Sequence, residues 1–431
     1  MELAGVLVLV VVFLVLLLIG VPVAFSIGIS AICTMLLTIH TEPALATAAQ
    51  RMAVGLDSFA LLAIPFFILA GQLMNRGGIA RRLIDLAKSL VGTLPGALAH
   101  VNIVAAMFFG AISGSAVAAA SAVGGVMVPR MDAEGYDRSY GAAVNITSAT
   151  TGLIIPPSNI LIVYSLASGG ASIGALFLAG YLPGILVGLA LMFVAGVIAY
   201  RRGYPRAESV RIRFAVRKFF DALPSLFLLI VVIGGIVAGI FTATEASAVA
   251  VAYAFVLALI YREITVKDLP SILLDTASTT AIVMLLIGTS MGLSWVMSYE
   301  NIPQTVATTL VALSDSPIVI LLIINVVLLA VGTFMDMTPA VLIFTPIFLP
   351  IVMELGMDPV HFGIVMVLNL CVGLCTPPVG SVLFVGCGIA DVSITSVVRP
   401  LMPLFLAMIV ALLVVTFVPE LSLWLPRVFG F

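Results

Sequence analysis

The sequence predicts an all-α polytopic membrane protein built from two inverted repeats, each of five spans and one re-entrant hairpin. Three observations carry that expectation. Apolar runs recur from end to end, the basic residues collect on one side of them, and a pattern of glycines and prolines returns at a fixed offset.

Hydrophobic residues make up 62% of the 431-residue chain and charged ones only 9%, where a soluble domain carries about 25% charge. A soluble fold of this size cannot hide so much apolar surface. Many runs reach the length a helix needs to cross a roughly 30 Å hydrocarbon core. They are continuous rather than alternating, which excludes the dyad pattern of a barrel. There is no basic stripe for nucleic acid, and no Lys or Arg precedes the first run. That run therefore reads as a retained span, not a cleaved leader.

Polar breaks place spans near 3–19, 22–39, 58–75, 139–168, 174–200, 221–240, 243–261, 269–297, 360–390 and 400–418. The stretches 97–130 and 317–353 are interrupted midway by polar residues, glycine and proline, as re-entrant hairpins would be. With both as hairpins and the loop 201–218 in the cytoplasm, 16 of the 18 basic residues fall inside, leaving Arg51 and Arg427 outside. This is a strong positive-inside bias, and it puts both termini in the periplasm. Segments 76–88 and 302–313 read as amphipathic surface helices.

An offset of 221 residues aligns Pro129 with Pro350, Gly135 with Gly356, Gly152 with Gly373, and Pro156-Pro157 with Pro377-Pro378. The positive-inside topology runs the two Pro-Pro spans in opposite directions, as in inverted-repeat transporters. The chain then divides into scaffold spans (1–57), a first repeat core (58–200) with surface arm, hairpin 97–130 and broken helix 139–168, a basic cytoplasmic loop with scaffold spans (201–268), and a second core (269–431) with surface arm, hairpin 317–353 and broken helix 360–390.

The chemistry concentrates at the interruptions. The first tip reads Gly110-Ala-Ile-Ser113-Gly114-Ser115, and the first break Gly152-Leu-Ile-Ile155-Pro156-Pro157-Ser158-Asn159. Paired prolines free the carbonyls one turn earlier, which a membrane tolerates only where backbone is buried in protein or lines a cavity. Carbonyls and hydroxyls together form a hard oxygen cage suited to Na⁺. A proline kink with Ser and Thr bonded back to the preceding turn is the competing account. The second tip carries Gly332, Asp336 and Thr338, and the second break Gly373, Thr376, Pro377 and Pro378. Asp336 is the only carboxylate between Asp315 and Glu354. A charge at that depth marks a functional candidate, although capping of the following arm is compatible with it. Asn159 joins Ser113, Ser115 and Asp336 as residues expected to meet the solute. Glu245 reads as a helix-start carboxylate and the three histidines as interfacial. Cys371 and Cys375 have helical spacing, but they lack neighbouring metal ligands and read as small packing residues.

The Gly-x-x-Ser-Gly-Ser-Ala tip at 110–116, the Ile-Pro-Pro-Ser break at 155–158, the Asp-x-Thr-Pro tip at 336–339 and the Thr-Pro-Pro break at 376–378 resemble signatures of one family. It is the large membrane subunit of the tripartite ATP-independent periplasmic (TRAP) transporters, and the Gly20-Val-Pro-Val-Ala-Phe25 junction also matches. The resemblance implies an elevator-type, secondary active importer in the bacterial inner membrane, driven by two or more Na⁺. Its solute would be an organic acid such as a C4-dicarboxylate, a keto acid or a sialic acid, received from a periplasmic solute-binding protein. It implies one sodium site at Ser113, Ser115, Gly152, Ile155 and Pro157. The repeat extends this to a second at Gly332, Thr338, Gly373, Thr376 and Pro378. Asp336 matches an acidic position important for transport in the family. The family's small four-helix subunit is expected as a separate chain. A stand-alone Na⁺/dicarboxylate symporter or ion exchanger is the alternative. An enzyme is not expected, because a serine hydrolase needs a base within reach and no histidine falls in a tip or break; no phosphate loop for a primary pump is present.

Overall fold

The computed structural model describes residues 2–92, 94–204, 212–314, 316–377 and 379–431. Among them are twenty α-helices, three short 3₁₀ turns and no strand. Helices α1 (Glu2–Leu18) and α2 (Val23–Thr38) pack together across the turn at Gly20. Helix α3 (Thr41–Leu56) falls where the sequence reading has only a connection. Its buried stripe is Ala44, Ala48 and Gly55, residues that give little hydropathy yet let it lie close on a neighbour. A Cβ on Gly55 would come within 2.4 Å of the Met291 side chain.

Helices α4 (Ala63–Arg76) and α5 (Ile79–Val91) meet at Gly77-Gly78. On α5 the residues Ile79, Leu83, Ile84, Leu86 and Ala87 are buried while Arg81 is exposed, the amphipathic split expected of a surface helix. The first interrupted stretch is two helices, α6 (Ala97–Ser113) and α7 (Ala116–Ala133), packed on each other, and α6 also packs on α5. Gly114 ends α6 in the left-handed region at φ +62°, where glycine carries no Cβ penalty. Its N–H donates to Gly110 O at 2.9 Å. Ser115 then starts α7 by accepting from the Ala118 N–H at 3.2 Å, a conventional N-cap.

The first Pro-Pro span is broken as expected, into α8 (Arg138–Ala149) and α9 (Asn159–Ala167), and is followed by α10 (Ile173–Arg202). Helices α11 (Ile212–Val237) and α12 (Ala243–Ile260) come next, and Glu245 closes a capping box with Thr242 at the start of α12. Then α13 (Leu269–Tyr299) and α14 (Ile302–Leu313) lead to the second hairpin, α15 (Pro317–Phe334) and α16 (Met337–Glu354). Its broken partner is α17 (Pro359–Gly373) and α18 (Ser381–Ala390), and α19 (Ile394–Phe417) and a short α20 (Glu420–Val428) close the chain. Helix α20 was not anticipated.

Every described residue of α8 from Tyr140 to Ala149, and of α17 from His361 to Gly373, is buried. Helices closed in on all sides are the centre of a large bundle. Thr147 on α8, and Thr151 just beyond its end, donate to the carbonyls of Ala143 and Ser148 at 2.9 and 2.6 Å. His100 and His361 are buried rather than interfacial, with Nε2 against Pro95 O at 3.1 Å and Thr416 O at 3.3 Å. Eight helical segments among the described residues are long and apolar enough to cross a membrane, both arms of the second hairpin included. The chain is an all-α polytopic membrane protein.

Candidate functional site

Each hairpin meets its own broken helix through a pair of glycines. A Cβ on Gly152 would lie 2.3 Å from Gly110 Cα, and a Cβ on Gly373 would lie 2.6 Å from Gly332 Cα. Real Cβ atoms essentially never come within 3.0 Å of such a neighbour, so both seams are backbone against backbone. The two breaks also touch each other. The Cys371 thiol donates to Thr150 O at 3.4 Å, and the Cys375 thiol to Ile146 O at 3.4 Å. Both cysteines are fully buried packing residues, and no group of three metal-ligating side chains occurs among the described residues.

In front of the seams lies a cavity of about 280 Å³. Both hairpin tips reach it: Ser113, Gly114 and Ser115 from one, Asp336, Met337 and Thr338 from the other. Both breaks reach it as well, through Leu153, Asn159 and Ile160, and through Leu374 and Ser381. The wall residues recur in step, since 153 and 160 plus 221 are 374 and 381, and 114, 115 and 116 plus 222 are 336, 337 and 338.

Five of the sequence-derived candidates therefore share one wall: Ser113, Ser115, Asn159, Asp336 and Thr338. Gly152, Gly332 and Gly373 lie behind it in the seams. Ile155, Pro157 and Thr376 are also off the wall. The Ile155 side chain packs where Gly184 of α10 leaves room, 2.4 Å from a Cβ built there. The Thr376 hydroxyl donates to Val372 O at 2.9 Å. Pro378 lies outside the described residues.

At the first tip, Ser113 Oγ donates to Ser115 O at 3.3 Å and accepts from Ser115 N–H at 3.4 Å. Ser115 Oγ is the N-cap of α7. Each hydroxyl oxygen has two lone pairs, so each keeps one that these bonds do not use. Asp336 occupies the N-cap position of α16, its carboxylate beside the backbone N–H groups of Met337 and Thr338 but without a capping geometry. It is open to the cavity. The sequence reading missed Gln72 and Asn75 of α4 and Thr279 of α13, which complete the wall. Two polar residues three apart at the end of an otherwise apolar span were the available signal.

Paired hairpins and broken helices enclosing a polar cavity inside a membrane bundle define a membrane transport protein. The chain belongs to the family described as tripartite ATP-independent periplasmic transporter, DctM component, whose profile matches residues 10–421. It is 57% identical over 418 residues to the uncharacterized protein YgiK of Salmonella typhimurium, covering 97% of this chain and 96% of that one. It is 39% identical over 429 residues to the C4-dicarboxylate TRAP transporter large permease protein DctM of Rhodobacter capsulatus, covering 96% and 97%. Its fold resembles the Alcanivorax borkumensis YdaH transporter, with a TM-score of 0.62 at 14% identity over 87% of each chain. This chain is thus a multi-pass inner-membrane protein and a TRAP large permease subunit, in a family of permeases rather than enzymes.

Proposed function

We propose that the chain is the translocating subunit of a sodium-coupled importer of an organic acid, which it receives from a periplasmic solute-binding protein. It would work beside a separate small four-helix membrane subunit. The observation that carries this is the single cavity onto which both tips and both breaks open. Membership in the TRAP family supports the class, and the C4-dicarboxylate named for the Rhodobacter relative supports an acidic solute.

We assign one sodium site to Ser113, Ser115, Gly152, Ile155 and Pro157, and a second to Gly332, Thr338, Gly373, Thr376 and Pro378. The donors fit a small hard cation, because they are hydroxyl and carbonyl oxygens. The Thr376 hydroxyl, which donates to Val372 O, keeps both lone pairs for an ion. Asp336, Asn159 and the two tip serines would face the solute. Residues 58–200 and 269–431 would form the moving cores, and 1–57 and 201–268 the scaffold. The cores would slide as an elevator rather than rock about a fixed site. The in-step recurrence of wall residues supports the repeat, and the backbone seams support moving each hairpin with its break.

The test is uptake into proteoliposomes holding this chain and its small partner, with the binding protein outside. Uptake should follow an inward Na⁺ gradient and fail with K⁺. Equal uptake on a pH gradient without Na⁺ rejects sodium coupling. Robust uptake by this chain alone favours a stand-alone symporter.

A further inference from the structure

Each hairpin is fastened to its broken helix at a second point, about two helical turns back along the arm from its glycine seam. In the first core, Asn102 of α6 donates from Nδ2 to the Ser148 hydroxyl of α8 at 2.9 Å. In the second, Asn369 of α17 donates from Nδ2 to the O and Oδ1 atoms of Asn325 on α15, at 3.0 and 2.7 Å. All four residues are buried. The offset of 221 that aligns Gly152 with Gly373 also aligns Ser148 with Asn369. Asn102 and Asn325 stand eight and seven residues before Gly110 and Gly332. The other arms follow suit. Asn145 of α8 donates to Ala120 O of α7 at 3.0 Å, and Thr345 of α16 donates to the Met366 sulfur of α17 at 3.3 Å. The same offset carries Asn145 onto Met366.

The seams bring backbones together but offer no directional group, whereas a buried amide bond holds only at one height and one rotation. The Oδ1 atoms of Asn102 and Asn369 have no partner among the described residues. Each side chain therefore depends on its Nδ2 bonds, and a slip of the arm would leave a whole amide unsatisfied at a buried position. A single buried Asn fixing register is the best-attested use of a costly polar group in a core. Register matters here because each proposed sodium site draws oxygens from two elements, a tip and a break. Ligand groups of that kind must be held within about 0.5 Å by the packing and hydrogen bonds around them. We propose that Asn102 with Ser148, and Asn325 with Asn369, are register clasps: positioning residues that fix each hairpin on its broken helix and so set the spacing of the sodium-binding oxygens. The inference deepens the sodium sites proposed above and rests on that reading.

The experiment follows the unfolding temperature of the purified full chain as NaCl replaces KCl at constant ionic strength. Stabilisation by a bound ion depends only on its concentration relative to its dissociation constant. A bond that merely stabilises the fold would therefore lower the unfolding temperature without moving the Na⁺ midpoint. A clasp moves the midpoint. Asn102→Leu, Ser148→Ala and Asn369→Ala should each raise it by about tenfold or more, the usual cost of losing support around a metal ligand. Asn102→Leu with Ser148→Ala should raise it no further than either alone, because the two residues make one bond. Asn369→Ser, which copies the pair of the first core, should stay near the parent midpoint. Ser148→Ala removes a single oxygen and decides for the first core even if Asn102→Leu fails to fold. Variants that keep the parent midpoint, or an Asn369→Ser chain as impaired as Asn369→Ala, would overturn the clasps and leave the sodium sites standing. A parent chain that Na⁺ stabilises no more than K⁺ would overturn the sodium reading itself, and the clasps with it.

Discussion

Adding one methyl group at Gly152 tests whether the hairpin and its broken helix are a single packed unit. In Gly152→Ala the new Cβ would sit 2.3 Å from Gly110 Cα, 2.7 Å from Gly110 C and 2.8 Å from Ala111 N. Ordinary contact begins near 3.4 Å, so the two backbones must part by about 1.1 Å. None of the three atoms belongs to a side chain that could turn aside. Overpacking against side chains costs about 1–3 kcal/mol, so a clash between two backbones should cost at least about 3 kcal/mol. Gly373→Ala, at 2.6 Å from Gly332 Cα, requires about 0.8 Å and should rank just below it. Gly125→Ala is the control, because a Cβ there meets nothing within 4 Å and alanine favours a helix interior by up to about 1 kcal/mol. Unfolding temperatures of the purified chains should fall in the order Gly125→Ala, parent or near it, then Gly373→Ala, then Gly152→Ala. A Gly152→Ala chain that melts with the control would refute close backbone packing at the seam.

Other outcomes follow from the same geometry. Ser113→Ala with Ser115→Ala should raise the Na⁺ concentration needed for uptake, and should lower stability without Na⁺ by about 1 kcal/mol through loss of the α7 cap; an unchanged Na⁺ dependence would leave the serines only a structural role. Asp336→Asn should cut uptake at least tenfold while the melting temperature holds, since the carboxylate makes no capping geometry; a matching loss of stability would make it a structural residue. Thr242→Ala should destabilise the chain by about 1 kcal/mol by opening the capping box, with no effect on the Na⁺ dependence of uptake, because Thr242 is far along the chain from both tips and absent from the cavity wall.

The interruptions were legible because proline and glycine act through the backbone, and their effect does not depend on distant packing. Pro156-Pro157 keeps the span from running on as one helix into α9 wherever it lies, and Gly114 with Ser115 makes a turn from local geometry alone. Helix α3 escaped for the opposite reason. Its contact face is alanine and glycine, and it becomes a buried stripe only because α13 is there to receive it. The wall divided along the same line. Ser113, Ser115, Asn159, Asp336 and Thr338 sit on or beside a backbone break and announced themselves. Gln72 and Asn75 sit within a regular helix, and only the tertiary approach of α4 to the tip gives them a site. The glycines of the Gly-x-x-x-Pro-Pro elements were read as ligand-bearing positions, and their visible role is steric.

How a sliding core would be tethered can be argued from the arms. Helix α5 is joined to α4 through Gly78 at φ +70°, and α14 to α13 through Asn301 at φ +53°; Gly and Asn are the residues that take this conformation most readily. The polar anchors of α5 run toward α11 and the end of α12. Lys218 reaches Asp85 at 2.7 Å, and the Arg82 guanidinium lies 3.5 Å from the Tyr261 ring centroid. Both acid and base of the ion pair are partly exposed, and such pairs are worth about 0–1 kcal/mol; an exposed cation–π contact adds about 0.5–1 kcal/mol. Together they are small beside the cost of uncovering even two buried aliphatic side chains, about 1.5–3 kcal/mol each. The buried face of α5 carries four of that size, Ile79, Leu83, Ile84 and Leu86, together with Ala87. An arm built this way resists peeling off its apolar neighbours far more than it resists swapping polar partners. The proposed motion therefore has its cheapest path in turns at Gly78 and Asn301 that exchange the exposed contacts and keep the apolar face covered.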